Sequence, residues 1–581
     1  MRCSIPVMAA LLATGVAAAQ TPPPAPDPVL SAMHDEIERS RKLTVSNLEG
    51  PYFIQYLLDD EEAFTVSANL GGLTSERHER FREPEISVRV GSYKFDNTNF
   101  AGGGFGAGRY DLGRFPLENS YAVLRRYFWL ATDSAYKAAV EAISRKRAAR
   151  HDVENSDAPN DFAHAEPVHY IRDFRRLNLD QDAWTNRVRS LSAVFSAFPQ
   201  IRDSRVDLQA SAGGSYLANS EGTEVKSPEN VIVLRVRATA QAADGMAVLD
   251  SLSYQAFDPA RMPSDAEMTR GAKELAARVT DLASAPKGEE YNGPVLFEEA
   301  AGPQFFAELL GENLAVPRRI EGGRGGSGPT SELEGRIGVR ILPESFTVVD
   351  DPTQKEWRGR PLFGSYDVDR EGVPAKPLRL VEKGVLKSYL LTRQPVHGFP
   401  DSNGRARMDG PFGVATAGIS NLFIGSSEAV PAGEMKKKLI ELIRQRGKPY
   451  GIAVRKLDFP AAAPVNELRR IVAASPGAIH PLSGPTLVYK IFPDGREQLV
   501  RGMRFHSVNV RSLKDILAAS DENTVFEFMD SPAPFAMIGA GGFTAEACVV
   551  APSVIVDDLE LQPADDELPR PPIVTPPLLG Q

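Results

Sequence analysis

The stretch VLFEEAAGPQFFAELL, residues 295–310, decides how the rest of the chain is interpreted. It begins as a short apolar strand and continues with the apolar spacing of a helix. Glu298 and Glu299 stand where the strand gives way to the helix, and Gly302 and Pro303 follow. Paired Glu residues at such a junction favour a general base in an enzyme. The structural alternative is two carboxylates stabilised by the positive end of the helix dipole.

Composition narrows the class of protein. The chain has 581 residues, of which 42% are hydrophobic and 24% charged, with a formal net charge of −10. This length predicts two to four domains, and the balance is that of a soluble globular protein. A net-acidic chain without a long basic block is a poor candidate for binding nucleic acid or an anionic membrane. We therefore expect neither kind of partner.

The N-terminal segment predicts export. One Arg, an apolar run and small residues before Gln20 are typical of a secretory signal peptide over residues 1–19. A Pro-rich linker at 20–28 follows, and no later stretch is long and apolar enough to be a membrane span. The expected location is the periplasm. Cleavage of the signal peptide removes Cys3 and leaves Cys548 as the only cysteine. A single cysteine excludes an internal disulfide, and we expect Cys548 to be buried in a packing role.

The mature chain divides into two regions with different patterns. The first, 29–285, mixes helices with alternating strands and ends in a helix that we expect Ser264 to cap. The second, 291–562, is a mostly antiparallel α+β region with one strong helix that ends near Gly447. A Pro-rich tail occupies 563–581.

Two glycine-rich segments, 100–110 and 321–329, are interpreted as mobile loops. A phosphate-binding loop needs a preceding strand, a following helix and a terminal Lys-Ser/Thr, and neither segment has them. The second loop follows the helix of the opening stretch. We therefore expect it to lie near whatever pocket forms there.

The second region resembles the TldD/PmbA (TldE) metallopeptidases, also called modulators of DNA gyrase. The residues that carry this resemblance are TVVDDPTQKEWRGRPLFGSYDVDREGVPAKPLRLVEKGVLKSYLLTR (347–393), followed by SNGRARMDG and GISNLFI. In the first region, YLANSEGTEV and RVGSYKFDNTNF are similar to the family's N-terminal sheet. The resemblance implies an α+β, two-domain TldD/PmbA-like fold, with a mixed helix and sheet N-terminal domain and a mostly antiparallel, β-rich C-terminal domain. It also implies a dimer that encloses a cavity.

The zinc motif of the family does not match at this junction. Active members carry His-Glu-x-x-x-His there, with a Cys near the chain end completing the zinc site. The first His falls on Glu298, the catalytic Glu on Glu299 and the second His on Pro303. Cys548 lies several residues later than the family's Cys. We therefore expect no zinc or other cofactor, and Glu299 becomes a vestigial general base. The isolated His397, His480 and His506, and the pair His164 and His169, are interpreted as surface or hydrogen-bonding residues.

Three functional hypotheses follow. The first is a non-catalytic, exported homologue that binds a peptide or a partner subunit, as a homodimer or as a heterodimer with a TldD-like subunit. The second is an active metallopeptidase that cleaves unfolded or short peptides with atypical ligands or a zinc-bearing partner. The third is a structural envelope protein, suggested only by the Pro-rich ends. Metal content separates the first two.

Export makes a direct prediction. Cleavage after the small residues that end at Ala19 should give a mature N-terminus at or near Gln20. Intact-mass measurement of the protein from a native periplasmic fraction checks this. Protein from the same cells that still begins at Met1 would contradict export.

Overall fold

A computed structural model describes residues 27–43, 49–100, 109–110, 115–150, 158–320, 331–409, 415–459, 482–530 and 545–564. The predicted signal peptide, most of the linker and of the tail, the loop at 321–329 and His480 lie outside these ranges. So does most of the loop at 100–110, but its last two residues, Arg109 and Tyr110, form a short strand. Within the described ranges, no helix combines the length and apolarity needed to cross a membrane.

The helices are α1 (Pro28–Ser40), α2 (Tyr121–Ala149), α3 (Gln181–Ala193), α4 (Asp265–Ser284), α5 (Ala301–Phe306), α6 (Glu312–Leu314) and α7 (Met435–Gln445). Short 3₁₀ turns cover Val194–Ala197, Pro259–Arg261, Ala432–Glu434 and Val510–Asp515, and a π-helical turn covers Ala307–Gly311. The predicted cap of α4 is confirmed, because Ser264 and Glu267 form a reciprocal capping box. The helix α7 ends as expected, with Gly447 at a φ of +61°.

The strands of the first region are β1 (Pro51–Asn69), β2 (Gly72–Ser92), β3 (Phe95–Asp96), β4 (Arg109–Tyr110), β5 (His169–Ile171), β6 (Ile201–Asn219), β7 (Glu224–Gln241) and β8 (Ala247–Ala256). They form one sheet in the order β3-β2-β1-β6-β7-β5, with β4 paired to β2 and β8 paired to β7. Only β5 and β7 run parallel among these pairs. The helices α3 and α4 cover one part of the sheet, and α1 and α2 cover another.

The strands of the second region are β9 (Tyr291–Phe297), β10 (Phe346–Asp350), β11 (Glu356–Trp357), β12 (Arg360–Pro361), β13 (Leu378–Glu382), β14 (Val385–Leu386), β15 (Ala406–Asp409), β16 (Ala415–Ala417), β17 (Asn421–Ser426), β18 (Ala429–Val430), β19 (Gly451–Leu457), β20 (Pro485–Ile491), β21 (Glu497–Val500), β22 (Met503–His506), β23 (Ile516–Asp530) and β24 (Ala545–Pro563). The main sheet has the order β14-β13-β10-β17-β24-β9-β19-β20-β21. Off this path, β22 pairs with β24, and β23 pairs with β24 and β18.

Most of these pairs are antiparallel, as the sequence predicts, but three are parallel: β9 with β19, β17 with β24, and β18 with β23. The mixed α+β class implied by the resemblance is therefore confirmed. The boundary between 285 and 291 stays a prediction. Leu487 of the second sheet is buried in the core that lies beneath α3 and α4, so the two regions pack together.

A buried guanidinium also joins the two regions. Arg393 of the second region donates through Nε and Nη2 to the carbonyl oxygen of Ala163, at 3.0 and 2.7 Å. Its Nη2 also lies 2.7 Å from a carboxylate oxygen of Glu221, and the guanidinium stacks 4.2 Å from the centre of the Phe162 ring. The Arg393 side chain is fully buried. Removing it would leave the Glu221 carboxylate without its cation in a low-dielectric contact.

We expect Arg393→Met to lower the free energy of unfolding by about 3–5 kcal/mol, because a buried ion pair loses one partner. Urea titration followed by circular dichroism measures the change. Arg496→Met is the matched control, since Arg496 is exposed and its ion pair is with the exposed Asp494. Equal unfolding free energies for the two variants would show that the Arg393 contact does not hold the regions together.

Candidate functional site

The opening stretch folds as its sequence predicts. Residues 295–297 are buried and pair on one side with β19 and on the other with β24. Phe297 lies opposite Val454 and Val554, and the backbone N–H of Glu298 donates to the Val454 carbonyl at 3.0 Å. The N–H of Ala301 then donates to the carbonyl of Glu298, and α5 begins. The strand-to-helix junction at the two carboxylates is confirmed.

Glu299 forms a strained turn at this junction. Its φ is +53°, in the left-handed region that costs an L-residue about 1–2 kcal/mol. Such strain is concentrated at functional sites in proteins generally. The turn directs the chain from the central sheet into α5.

A guanidinium holds the two carboxylates. Nε of Arg455 lies 2.7 Å from a carboxylate oxygen of Glu298 and 3.4 Å from one of Glu299. Nη2 of Arg455 lies 2.9 Å from Glu497, and the guanidinium carbon lies 4.2 Å from the centre of the Tyr489 ring. Because Val454 is registered with Phe297, the next residues of the two parallel strands, Arg455 and Glu298, are brought side by side. Arg455 was not predicted, because nothing in the sequence around it indicates a contact with Glu298.

Contacts within this cluster shift the pKa values of Glu299, Glu497 and Arg455. Burial raises the pKa of Glu299, Arg455 lowers it and Glu298 raises it, and the net result is a pKa above the usual range. The pKa of Glu497 is lowered, because hydrogen bonds from Lys436 and Arg455 outweigh the burial that raises it. The pKa of Arg455 is raised, since Glu298 and Glu497 outweigh the effect of its own burial. Arg455 therefore remains a cation beside three carboxyl groups.

Pro303 lies in α5, which is packed tightly on the sheet. All the side chains of this helix are buried. A Cβ atom added to Gly302 would lie 2.9 Å from the carbonyl oxygen of Pro552 on β24, so the close approach requires glycine there. The ring of Pro303 offers no donor atom to a metal.

These residues do not fit the zinc site that the family resemblance implies. Zinc sites need three or four N, S or O donors within about 2.0–2.3 Å of one point. At the matched positions, Glu298 is held by Arg455 and Pro303 has no donor. Cys548 lies six positions before Val554 on the same strand, which is about 20 Å along β24 from the level of Phe297.

Other donor groups are also dispersed. Over the part of the chain that the structure describes, no three His, Cys, Asp or Glu side chains are arranged to hold a metal ion. His164 and His169 lie near Glu221 and Glu224 of the first region, at 4.0 and 3.2 Å. Cys548 is fully buried among Leu362 and Val550, which agrees with the predicted packing role, and burial raises the pKa of its thiol.

One buried carboxyl group close to the junction was missed. Glu308 lies on the π-helical turn after α5 and accepts hydrogen bonds from the backbone N–H of Ser483 at 2.8 Å and from its hydroxyl at 2.5 Å. Burial, followed by the charge of Glu312, raises the pKa of Glu308 to about 8. A carboxylate inside the apolar run FFAELL was the available signal, because Glu is rarely buried without a partner.

A cavity of about 220 Å³ lies beside the N-terminal end of α5, between the two regions of the chain. On one side it is lined by Ser251–Ser253 and Gln255 of β8, and on the other by Val525–Met529 of β23. Ala300 and Gln304 form the part nearest to the junction. Gln304 is itself held in place, because its side-chain oxygen accepts from the N–H of Leu457 at 2.9 Å. The candidate site is therefore a strained junction that opens onto a cleft.

We expect Arg455→Met to lower the free energy of unfolding by about 1–2 kcal/mol at pH 7, because partly exposed carboxylates lose a charged hydrogen-bond partner. The cost should shrink with acid. The stabilisation of Glu497, whose folded pKa is lowered, is present above its unfolded pKa of about 4.3 and is lost as pH falls through the folded value.

Urea titrations at a series of pH values measure this difference. Lys437→Met is the control, since Lys437 and its partner Glu434 are both exposed. A cost for Arg455→Met that stays constant into acid would mean that packing of the arginine stem, rather than its charge, stabilises the junction.

Comparison with known proteins identifies the relatives of this chain. Residues 290–460 match the family model for the PmbA/TldA metallopeptidase C-terminal domain. A metalloprotease of Methanothermobacter thermautotrophicus is 29% identical over 212 residues, which are 35% of this chain and 42% of that relative. A metalloprotease of Methanocaldococcus jannaschii is 32% identical over 146 residues, which are 23% of this chain and 27% of the relative. The chain thus spans less than half the length of the curated relatives it matches.

Solved structures extend the likeness to the whole fold. TldE from Thermococcus kodakarensis has a TM-score of 0.58 at 14% identity, and the match covers 91% of this chain and 99% of TldE. A protein of Thermotoga maritima described as a modulator of DNA gyrase has a TM-score of 0.55 at 15% identity, covering 88% of this chain and 96% of that protein. At these identities the likeness concerns the fold. Residues 290–460 therefore form a PmbA/TldA metallopeptidase C-terminal domain, and the chain shares the fold of TldE.

Proposed function

We propose that this chain is an exported, non-catalytic TldD/PmbA homologue that binds extended peptide segments in the cleft beside α5. The observation that carries the proposal is the environment of Glu298. At the position of the first zinc-binding His, the chain has a carboxylate held by the guanidinium of Arg455 at 2.7 Å. A guanidinium supplies positive charge to the junction but cannot activate a water molecule as a metal does.

The second matched position supports the same proposal. Pro303 is buried in α5 and has no atom that could ligate a metal or move a proton. Glu299 keeps a raised pKa, which favours a general base, but a general base alone contributes only about 10²–10⁴-fold to a rate. Peptide hydrolysis needs far more than that, so binding without cleavage fits these residues best.

Two open strand edges favour a peptide as the ligand. Among the described strands, β8 pairs only with β7, and the segment Val525–Met529 of β23 pairs only with β24. The two edges face each other across the cavity. Gln255 of β8 spans the gap, and its Nε2 donates to the backbone carbonyl of Glu527 at 2.8 Å. The Gln255 amide thus occupies a backbone acceptor of the β23 edge, and an added strand would displace it and bind there.

The lining predicts the side chains of that peptide. Phe459 packs edge-to-face on Phe526 and Phe528, with ring centres 4.9 and 4.8 Å apart, and these rings form an apolar wall. The nearby charges are already paired, Arg360 with Glu527 at 2.6 Å and Lys456 with Asp250 at 2.6 Å. A volume of about 220 Å³ accommodates one or two side chains rather than a whole peptide. The ligand is therefore an extended segment that places an apolar side chain in the cavity.

Location and assembly complete the proposal. The signal-like N-terminal sequence supports a periplasmic site of action. The fold of TldE supports a role as a partner subunit, in a homodimer or in a heterodimer with a TldD-like chain. An apolar cleft next to a silent junction suits a subunit that holds a peptide while another chain cleaves it.

Binding to a short probe tests the proposal. A fluorescein-labelled Thr-Val-Phe-Val-Thr peptide should bind the purified chain in fluorescence anisotropy without being cleaved. Ser253→Trp should weaken binding about tenfold or more, because a bulky ring fills a cavity that must admit a side chain. Ser427→Trp, at an exposed position outside the cavity, should leave binding unchanged.

Metal analysis of protein purified without chelators or a His-tag accompanies the binding assay. Peptide cleavage abolished by Glu299→Gln, together with one zinc ion per chain, would replace this proposal with an active metallopeptidase. Equal binding by the two Trp variants would place the peptide elsewhere on the chain.

A further inference from the structure

The outer edge of β2 is a further open strand edge, with a different chemistry from those at the cavity. Residues Gly72–Arg80 are all exposed. On its other side β2 pairs with β1 over its whole length, and β4 joins the outer edge only from Ile86 onward. Between these points, no described strand pairs with the outer edge. An exposed edge of this length is a template for another strand.

The sequence of this edge is complementary to itself. It reads Glu-Arg-His-Glu-Arg over residues 76–80. If two copies pair antiparallel about His78, Glu76 of each lies opposite Arg80 of the other, and Arg77 lies opposite Glu79. Opposite charges across an antiparallel pair stabilise it. Each of the two pairs occurs twice because the arrangement has two-fold symmetry.

Neighbouring registers are disfavoured by the same residues. A shift by one position in one direction places Arg77 opposite Arg80, and a shift in the other direction places Glu76 opposite Glu79. Like charges directly opposite each other destabilise a strand pair. The charge pattern therefore selects one register rather than merely tolerating pairing.

Two of these charges are available for such a contact. The side chains of Arg77 and Glu79 take part in no hydrogen bond or ion pair with the residues that the structure describes. The other face of the strand is already engaged, since Glu76 accepts from Thr185 at 3.1 Å and His78 lies 2.9 Å from Glu62. Arg77 and Glu79 are thus the charges that gain most from a partner strand.

We propose that the Glu76–Arg80 edge of β2 pairs antiparallel with the same edge of a second copy of this chain, with the two-fold axis at His78. The contact joins the first-region sheets of two protomers into one continuous sheet. It is a small interface, and small interfaces give weak association. This proposal does not depend on peptide binding in the cleft, which lies beside β8 and β23.

A charge exchange at positions 77 and 79 tests the proposal by sedimentation equilibrium of the full mature chain. The wild type should dimerise as concentration rises. Arg77→Glu alone and Glu79→Arg alone should each weaken the dimer about tenfold or more, because each places like charges opposite each other twice. An equimolar mixture of the two variants should regain dimers, as should the double variant R77E/E79R.

Native mass spectrometry of the mixture should show that the restored dimer contains one of each variant. Wild-type affinity in either single variant, or a mixture that remains monomeric, would overturn the proposal. So would a wild type that stays monomeric at about 100 µM, a concentration at which weak interfaces associate. In those cases the charges only protect an exposed edge from aggregation. Unchanged circular dichroism in all the variants confirms that each remains folded.

Discussion

The register between β24 and β9 is the constraint on which the rest of the second region depends. The strand β24 pairs with β9, β17, β22 and β23, so it lies at the centre of the main sheet. Val554 opposite Phe297 fixes where β9 ends and therefore where Glu298 stands. The contact of Gly302 with the carbonyl of Pro552 then presses α5 onto the same strand. A shift by one residue would turn every buried side chain of β9 to the other face and displace the junction.

Under the proposed function, the junction keeps a positive charge beside its carboxylates while its chemistry differs from that of a metal site. A metal ion beside Glu299 would supply a concentrated positive charge and a bound water of pKa about 7, against about 15.7 in bulk. Arg455 supplies a positive charge that is spread over a planar fork and already satisfied by Glu298 and Glu497. This charge stabilises the partly buried Glu298 and the more exposed Glu299 beside the strained turn. Under the proposed function, the junction has the shape of a catalytic site but does not activate water.

Sequence patterns predicted the fold well where all the interacting residues lie within a few positions of one another. The capping box of Ser264 and the glycine after α7 lie within one helical turn of the ends they mark, and both formed as expected. The strand-to-helix junction also lies within one stretch. Arg455 could not be found in this way, because it is 157 residues from Glu298 and meets it only through the pairing of β9 with β19. The helix α3 was not predicted, although its buried residues Trp184, Val188 and Leu191 follow helical spacing.

The strand edges of β2 and of the cleft illustrate how side chains decide what an edge accepts. Backbone groups offer the same hydrogen bonds at β2 and at β8, so the backbone alone distinguishes no partner. At the cleft, aromatic rings such as Phe528 form an apolar wall, and apolar contact tolerates many sequences provided that a side chain fits. At β2, the charges stabilise pairing only with a strand of complementary charge pattern, and a shift by one residue destabilises the pair. The two proposed specificities can therefore coexist on one chain. The apolar wall of the cleft selects peptides by the size of the side chain that it buries. The charges of β2 select a second copy by the register in which the two strands pair.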